Sequence, residues 1–438
     1  MQSTKSRWPW VVVDRRHRED DAEAKSSPDG KSPSSGKGSK LMEYIALATV
    51  PMVLVLGNSM LVPILPDMEQ KLGISDFQSS LIITLFSVTA GVFIPFAGYL
   101  SDRFSRKAII LPSLIVYGLA GILAGFGAVW GSYPIVIIAR ALQGLGAAGT
   151  APIAMALVGD MYRDGNESEA LGLIEASNGA GKVISPILGS LFALIIWYAP
   201  FFAFPVFCAL SLLAMIFMIK EPEKKTQAPP VKYYVRQIGV IFKEKGRWLL
   251  PAFAVGSMAL FILFGALFYL SDLLEKAPYN IDGVAKGGVL AIPLLGLVVT
   301  AYLSGRKIKN NGVLMKTLMS IGLAAMTAAL GTAIALHGQI YWLIGLLLVS
   351  SIGTGLVLPC LNTMITGAVD RQHRGMITSL YSSLRFLGVA FGPPIFGWLT
   401  GRSQTVLFIV ITVLAAASLM LTIWLIRPPV KAGDAGTA

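Results

Sequence analysis

The chain alternates long apolar blocks with short polar interruptions. Twelve blocks stand out, at approximately 41–66, 79–101, 108–128, 133–158, 170–195, 200–219, 249–271, 285–304, 313–336, 340–367, 376–398 and 404–426. Each supplies roughly the 20 mainly apolar residues that a helix needs to cross a ~30 Å hydrocarbon layer. Helices are the expected element, because backbone amides in lipid must be paired within their own segment. A barrel strand would instead show about 10 residues of alternating pattern, and the blocks lack that period. The pattern predicts an all-α polytopic membrane protein with 12 transmembrane helices.

Charge sharpens this into a topology. Of 438 residues 54% are hydrophobic and 14% charged, against about 25% charged in soluble domains. The formal net charge is +12, but its placement argues against nucleic acid. With both termini cytoplasmic, the tails and inner loops hold 29 of the 36 Lys and Arg. The outer loops hold four (Lys71, Lys276, Lys286, Arg402) and the spans three (Arg140, Lys182, Arg385). That bias follows the positive-inside rule and places the chain in the cell membrane as a multi-pass protein. The inner loop 159–169 supports it least, with Arg163 beside Asp164, Glu167 and Glu169; acidic residues count little in the rule.

Residues 1–40 are rich in Lys, Arg, Ser, Gly and Pro and read as a disordered cytoplasmic tail; 427–438 form a second tail. Trp8–Val13 is too short for a signal-peptide core, so the first span is expected to be retained. Cys208 and Cys360 fall inside spans and imply no disulfide or metal. His17, His337 and His373 show no metal spacing, and nucleotide-binding loops are absent. The chain therefore reads as neither an enzyme nor a cofactor protein, and a monomer is expected.

The longest polar interruption, 220–248, contains EPEKKTQAPP and the amphipathic KYYVRQIGVIFKEK. It divides the spans into bundles of six, 41–219 and 249–426. An offset of 207 residues pairs Pro152 with Pro359, Gly181 with Gly388 and Pro186 with Pro393, and an offset of 203 pairs YLSDR (99–103) with YLSGR (302–306). Glycine and proline are common in spans and match by chance, but the order and topology favour two pseudo-symmetric copies. Transporters built this way bind solute near the midplane between the copies.

Three stretches carry a family resemblance. GYLSDRFSRK (98–107) resembles the loop signature of the major facilitator superfamily through Gly98, Leu100, Asp102, Arg103, Arg106 and Lys107, with Ser105 where the family has glycine. ARALQGLGAA (139–148) resembles the fourth-span motif of its proton-driven members through Arg140, Gln143, Gly144 and Gly146. EASNGAGKVISPILG (175–189) resembles the fifth-span antiporter motif through Gly181, Pro186 and Gly189, departing at Ser185 and carrying a Lys182 outside the pattern; Ser190, just beyond, is a further departure. The resemblance covers all twelve spans and implies the drug:proton antiporter branch.

The residues also have a reading of their own. Gly98, Asp102, Arg103, Arg106 and Lys107 end a helix at the inner face, where cations meet anionic headgroups. Asp102 is the acid among them and is stabilised by a helix N-terminus; the resemblance puts that contact near Arg374 and Gly375, as a conformational latch. A plain topogenic loop is the blander reading. Pro186 can bend its helix and the glycines allow close approach.

Glu175, Asn178, Lys182, Ser185 and Gly189 recur at three- and four-residue steps, so they share one helical face. That face is expected to turn inward. Glu175 is the acid best placed to meet Arg140 or Lys182, and Glu175 with Arg140 form the candidate proton-coupling pair; a fixed brace is the alternative. The first span offers Asn58 and Ser59 rather than an acid. Asn58, Gln143, Asn178, Lys182, Phe264, Asn362, Tyr381 and Arg385 are expected to bind solute. Phe261, Phe268 and Tyr269 flank Phe264, although such stripes are commonly packing or lipid contacts. The reading that results is export of small amphipathic molecules in exchange for protons, with solute, protons and lipid as the partners. Three cations against one clear acid in the spans raise a second reading, an anionic metabolite or siderophore. Sugar import and lipid flipping are further alternatives on the same fold.

Overall fold

Fourteen helices, and no strand, make up the described residues of this computed structural model. These are residues 37–426 apart from 62–63, 163–164, 223–230, 282, 310, 368 and 370. Most of the basic tail with Trp8–Val13 and His17, the loop residues Arg163 and Asp164, and the C-terminal tail lie outside them. Glu43–Ala438 form one compact unit, which contains every contact discussed below; Met1–Met42 form another, described only from Lys37.

The helices are α1 Lys37–Ser59, α2 Leu65–Leu72, α3 Asp76–Arg103, α4 Arg106–Val129, α5 Tyr133–Ala148, α6 Ala151–Met161 and α7 Gly165–Ala193. They continue as α8 Ala199–Met218, α9 Val231–Glu275, α10 Gly283–Ile308, α11 Gly312–Leu336, α12 Ile340–Thr366, α13 Arg371–Thr400 and α14 Gln404–Trp424. Among the described residues ten helical stretches are long and apolar enough to cross a membrane, with α5 and α6 counted as one. α7 and α13 are not among the ten, although they have 29 and 30 residues. They carry Glu175, Lys182 and Arg385.

Local sequence explains the boundaries. Ser75 and Gln78 close a reciprocal capping box at the start of α3. Ser105, the departure from the loop signature, is the N-cap of α4, and its side chain accepts from the Ala108 amide at 2.9 Å. The fourth apolar block breaks between α5 and α6, where Pro152 has no amide to continue the ladder. Of 220–248, expected as a linker, the part from Val231 onward is the first stretch of the 45-residue α9. Ile238 there is buried in the core of the second half.

Glycines set how closely the helices cross. A Cβ on Gly144 would strike the Phe86 carbonyl of α3, and one on Gly146 would come within 2.7 Å of the Tyr117 amide of α4. α5 is thereby held between two backbones, the close packing that association in lipid relies on. The halves meet along two broad seams, α3 with α13 and α7 with α10.

The seams repeat one another. The offsets of 203 and 207 carry Asp102 onto Gly305 and Ser168 onto Gly375. Asp102 touches Gly375, and a Cβ on Gly305 would stand 3.0 Å from the Ser168 carbonyl. One seam is sealed by an aspartate and the other by the Gly172–Gly305 backbone crossing. Gly305→Val should therefore lower the melting temperature in detergent, since overpacking costs about 1–3 kcal/mol. Gly288→Ala, whose Cβ enters open space inside α10, should leave it unchanged or raise it, since alanine is the better helix former.

Candidate solute and coupling site

A cavity with about 80 Å³ of water-accessible space lies between the halves. α1 supplies Leu54, Asn58 and Ser59; α3 supplies Phe86 and Ser87; α6 supplies Pro152 and Met155. α7 adds Glu175, Asn178 and Lys182, α9 adds Leu260 and Phe264, and α13 adds Ser382, Arg385 and Phe386. The walls are apolar and aromatic, with few polar groups, as is usual for small-molecule sites. Pockets for drug-sized ligands span roughly 300–1,000 Å³, so the space is small in this conformation.

The charged centre is a bridge across the two halves. Glu175 Oε1 accepts from Arg385 Nη2 and from Asn362 Nδ2, each at 2.8 Å. Arg385 Nη1 donates to Asn362 Oδ1 at 3.2 Å. α7, α12 and α13 are thus tied at one carboxylate oxygen. Glu175 is 2%, Arg385 5% and Lys182 7% exposed. Lys182 makes no ion pair among the described residues; its Nζ lies 4.8 Å from the Phe264 ring centre, a cation–π distance.

Arg140 occupies a separate nest. It donates to the Ile82 carbonyl at 2.8 Å, Gln143 Oε1 at 2.6 Å and Asn58 Oδ1 at 2.6 Å, and its guanidinium carbon lies 4.6 Å from the Phe86 ring centre. All these acceptors are neutral. The planar guanidinium fork suits such a fixed shell, and Arg140 keeps a full charge one residue behind the cavity wall.

Several expectations need correcting. Glu175 meets Arg385 rather than Arg140, because its helical face turns across the seam. Gln143 faces Arg140 and α4, not the cavity, since Gly144 and Gly146 fix the rotation of α5. Asn362 and Tyr381 stand behind Arg385: Asn362 holds its fork, and the Tyr381 ring centre lies 5.3 Å from its guanidinium carbon. Asn58, Asn178, Lys182, Phe264 and Arg385 do line the cavity. Phe268 is exposed, Tyr269 packs on Phe408 and Phe261 on Phe396. Phe86, Ser87, Ser382 and Phe386 were missed; only Ser382 had a signal, three residues before Arg385 on the same face.

The loop signature builds a second charged cluster at one end of the α3–α13 seam. Asp102 accepts from the amides of Gly375 at 3.0 Å and Met376 at 2.9 Å. A Cβ on Gly375 would stand inside the ion pair of Asp102 with Arg106. Arg106 is fully buried and also bonds Asp160 Oδ2 at 2.9 Å and Ser101 Oγ at 2.8 Å. Arg374 reaches the Gly159 carbonyl and lies 3.5 Å from Asp160 Oδ1. Lys107 donates to the Ile216 and Ile219 carbonyls at 2.9 and 2.8 Å, satisfying the end of α8. Of the three cations expected to face headgroups, Arg103 alone is exposed; carboxylates and helix-end carbonyls claim the other two. Gly98 sits against Ser379, Gly181 against Val55 of α1, Gly189 against the Met60 carbonyl, and Pro186 beside Gly287.

Over residues 47–317 and 314–437 the sequence matches the family described as the Major Facilitator Superfamily. The chain belongs to that superfamily. It is 44% identical over 388 residues to the bacillibactin exporter of Bacillus subtilis (strain 168), covering 88% of this chain and 96% of that one. It is 28% identical over 358 residues to the multidrug efflux protein YfmO of the same organism, covering 81% and 85%. The fold matches the human organic anion transporter MFSD10 (TETRAN), with TM-score 0.74 and 18% identity over 87% of this chain and 99% of that one. As a major facilitator protein it is a multi-pass membrane transporter and not an enzyme.

The bridge makes a stability prediction. Arg385→Gln leaves a buried carboxylate without its cation and should cost about 3–5 kcal/mol. The double variant Glu175→Gln/Arg385→Gln should recover most of that loss, read as non-additive thermal unfolding in detergent.

Proposed function

We propose that the chain exports a small anionic organic solute of the siderophore class by alternating access, through two six-helix bundles with both termini in the cytoplasm. α7 and α13, with the ten apolar stretches, make up the twelve crossings. The observation that carries this reading is the charge balance of the cavity. Its one carboxylate, Glu175, is bonded to Arg385, which leaves Lys182 without an ion pair among the described residues. Arg140 adds a further charge behind Asn58. A buried cation is tolerated when an anion visits it, and a solute carboxylate or phenolate supplies one. The aromatic walls from Phe86, Phe264 and Phe386 suit a planar ring beside that anion. The 44% relative, named as a bacillibactin exporter, points the same way.

Glu175 is the coupling group in this reading, with Arg140 as the fixed charge that biases the cavity. The Asp102–Gly375 contact is the latch that holds one end of the α3–α13 seam closed, and Arg103, Arg106 and Lys107 set its helices. The glycines and Pro186 of α7 let that helix rock against α1 and α10. The protein works as a monomer, since the cavity is complete within one chain.

Export of an amphipathic drug in exchange for protons is the second reading, favoured by the kinship to YfmO and the apolar walls. Transport by inside-out vesicles of bacillibactin, benzoate and ethidium separates the two. The anions should accumulate, and Lys182→Ala should slow them roughly 10–100-fold, the loss of about 1.5–3 kcal/mol from a charged hydrogen bond. Accumulation of ethidium alone, or an unchanged rate in Lys182→Ala, overturns the anionic reading.

A further inference from the structure

We propose that the anionic solute and a proton load onto the carrier together, the solute taking Arg385 and the proton taking Glu175. This rests on the anionic reading of the cavity and fixes the sign of its coupling. In the bridge, Arg385 spends Nη2 on Glu175 and Nη1 on Asn362. Its Nε is buried with no hydrogen-bond partner among the described residues, and so is Ser382 Oγ one turn away. Lys182 Nζ faces the same cavity with only the Phe264 ring against it. Arg385, Ser382 and Lys182 thus line one space, the first two with a buried donor that has no acceptor among the described residues, while Glu175 holds Arg385 Nη2.

An incoming anion competes with Glu175 for Arg385, because both ask for the same guanidinium edge. Once displaced, the carboxylate stands in a buried site beside a second negative charge, and burial and a like charge both favour its neutral form. It takes a proton from water entering the opened cavity. Asn362 then keeps a role with either form, since its amide donates to the Oε1 atom whether or not the acid is protonated. The groups whose charges reach Glu175 are Arg385 and Tyr381 from α13 and Lys182 from its own helix. α12 contributes the neutral Asn362, and the cavity-lining residues of α1 and α6 carry no titratable group. Binding of anion and proton is cooperative, the opposite of the mutual exclusion that exchange requires.

The test is calorimetric titration of bacillibactin into the purified full-length protein in nanodiscs, in two buffers of different ionisation heat, from pH 6.5 to 8.5. Wild type should take up close to one proton more than Glu175→Gln, a difference that cancels the titration of the ligand itself. The ratio of the two affinities should change tenfold per pH unit, with Glu175→Gln at least tenfold tighter at pH 7.5. A pH-independent ratio, or proton release by wild type relative to the variant, overturns the proposal while leaving the anionic reading in place. If neither protein binds, the anionic reading falls and the proposal with it. Should Glu175→Gln fail to fold, Lys182→Arg, which keeps a fixed charge at the other titratable position, decides in its place. Indicator-dye proton uptake in unbuffered solution, less a ligand blank, supports the proposal if positive and overturns it if zero or negative.

Discussion

A charge inside a bilayer span must be met by the protein itself, and this constraint organises the molecule. An ionised side chain at a helix centre costs about 2.5–3.5 kcal/mol on insertion scales. Glu175 and Arg385 meet the cost jointly, with Asn362 squaring the geometry. Their bond joins α7 of one half to α13 of the other. Those two helices also form the seams, α7 on α10 and α13 on α3. The buried ion pair therefore sits on helices that form the seams between the halves.

The two seams solve one packing problem with different chemistry. At α3–α13 a carboxylate binds two amides, backed by Arg106, Asp160 and Arg374. At α7–α10 the same register holds Gly305 against Gly172, with a 3.3 Å Arg306–Glu169 pair nearer the surface. A charged contact loses strength when water reaches it, whereas a glycine crossing hardly changes with hydration. One seam thus rests on charged contacts and the other on close backbone packing. A duplicated scaffold acquires a direction of motion from that difference.

What the sequence revealed depended on the range over which each signal acts. The apolar blocks are local and led to the helices, whereas the Asp102–Gly375 contact, between residues 273 apart, was expected through the family resemblance. The spacing of Glu175, Asn178 and Lys182 fixed their common face, which does turn to the cavity. The partner of Glu175 lies 210 residues away on α13, and no local pattern singles it out from Arg140 or Lys182. Arg106 shows the opposite failure. It stands in a basic loop signature, so charge counting sends it to the headgroups, yet Asp160 on α6 draws it inside. Gln143 was displaced by a rotation of α5 that two glycines set and that hydrophobic periodicity does not report. The aromatic run of α9 scattered because Phe261 packs on α13, Phe268 points outward and Tyr269 packs on α14, which leaves Phe264 to the cavity.

The sign of coupling decides what drives transport. A carrier that binds a dianion with one proton moves one net negative charge outward. Across a potential of 100 mV, negative inside, that is worth about 2.3 kcal/mol, or roughly a 40-fold gradient of solute. The accompanying proton climbs any pH gradient that keeps the cell alkaline, so solutes with more negative charge gain more. An exporter of cations has no such help and must exchange for protons. The pairing of Glu175 with Arg385 suits the first case, because it hands the arginine to the solute as the acid is neutralised. Relatives that move cations need the reverse arrangement, an acid that is vacant when the solute arrives. The difference between the two trades lies in whether a buried arginine stands opposite the coupling acid.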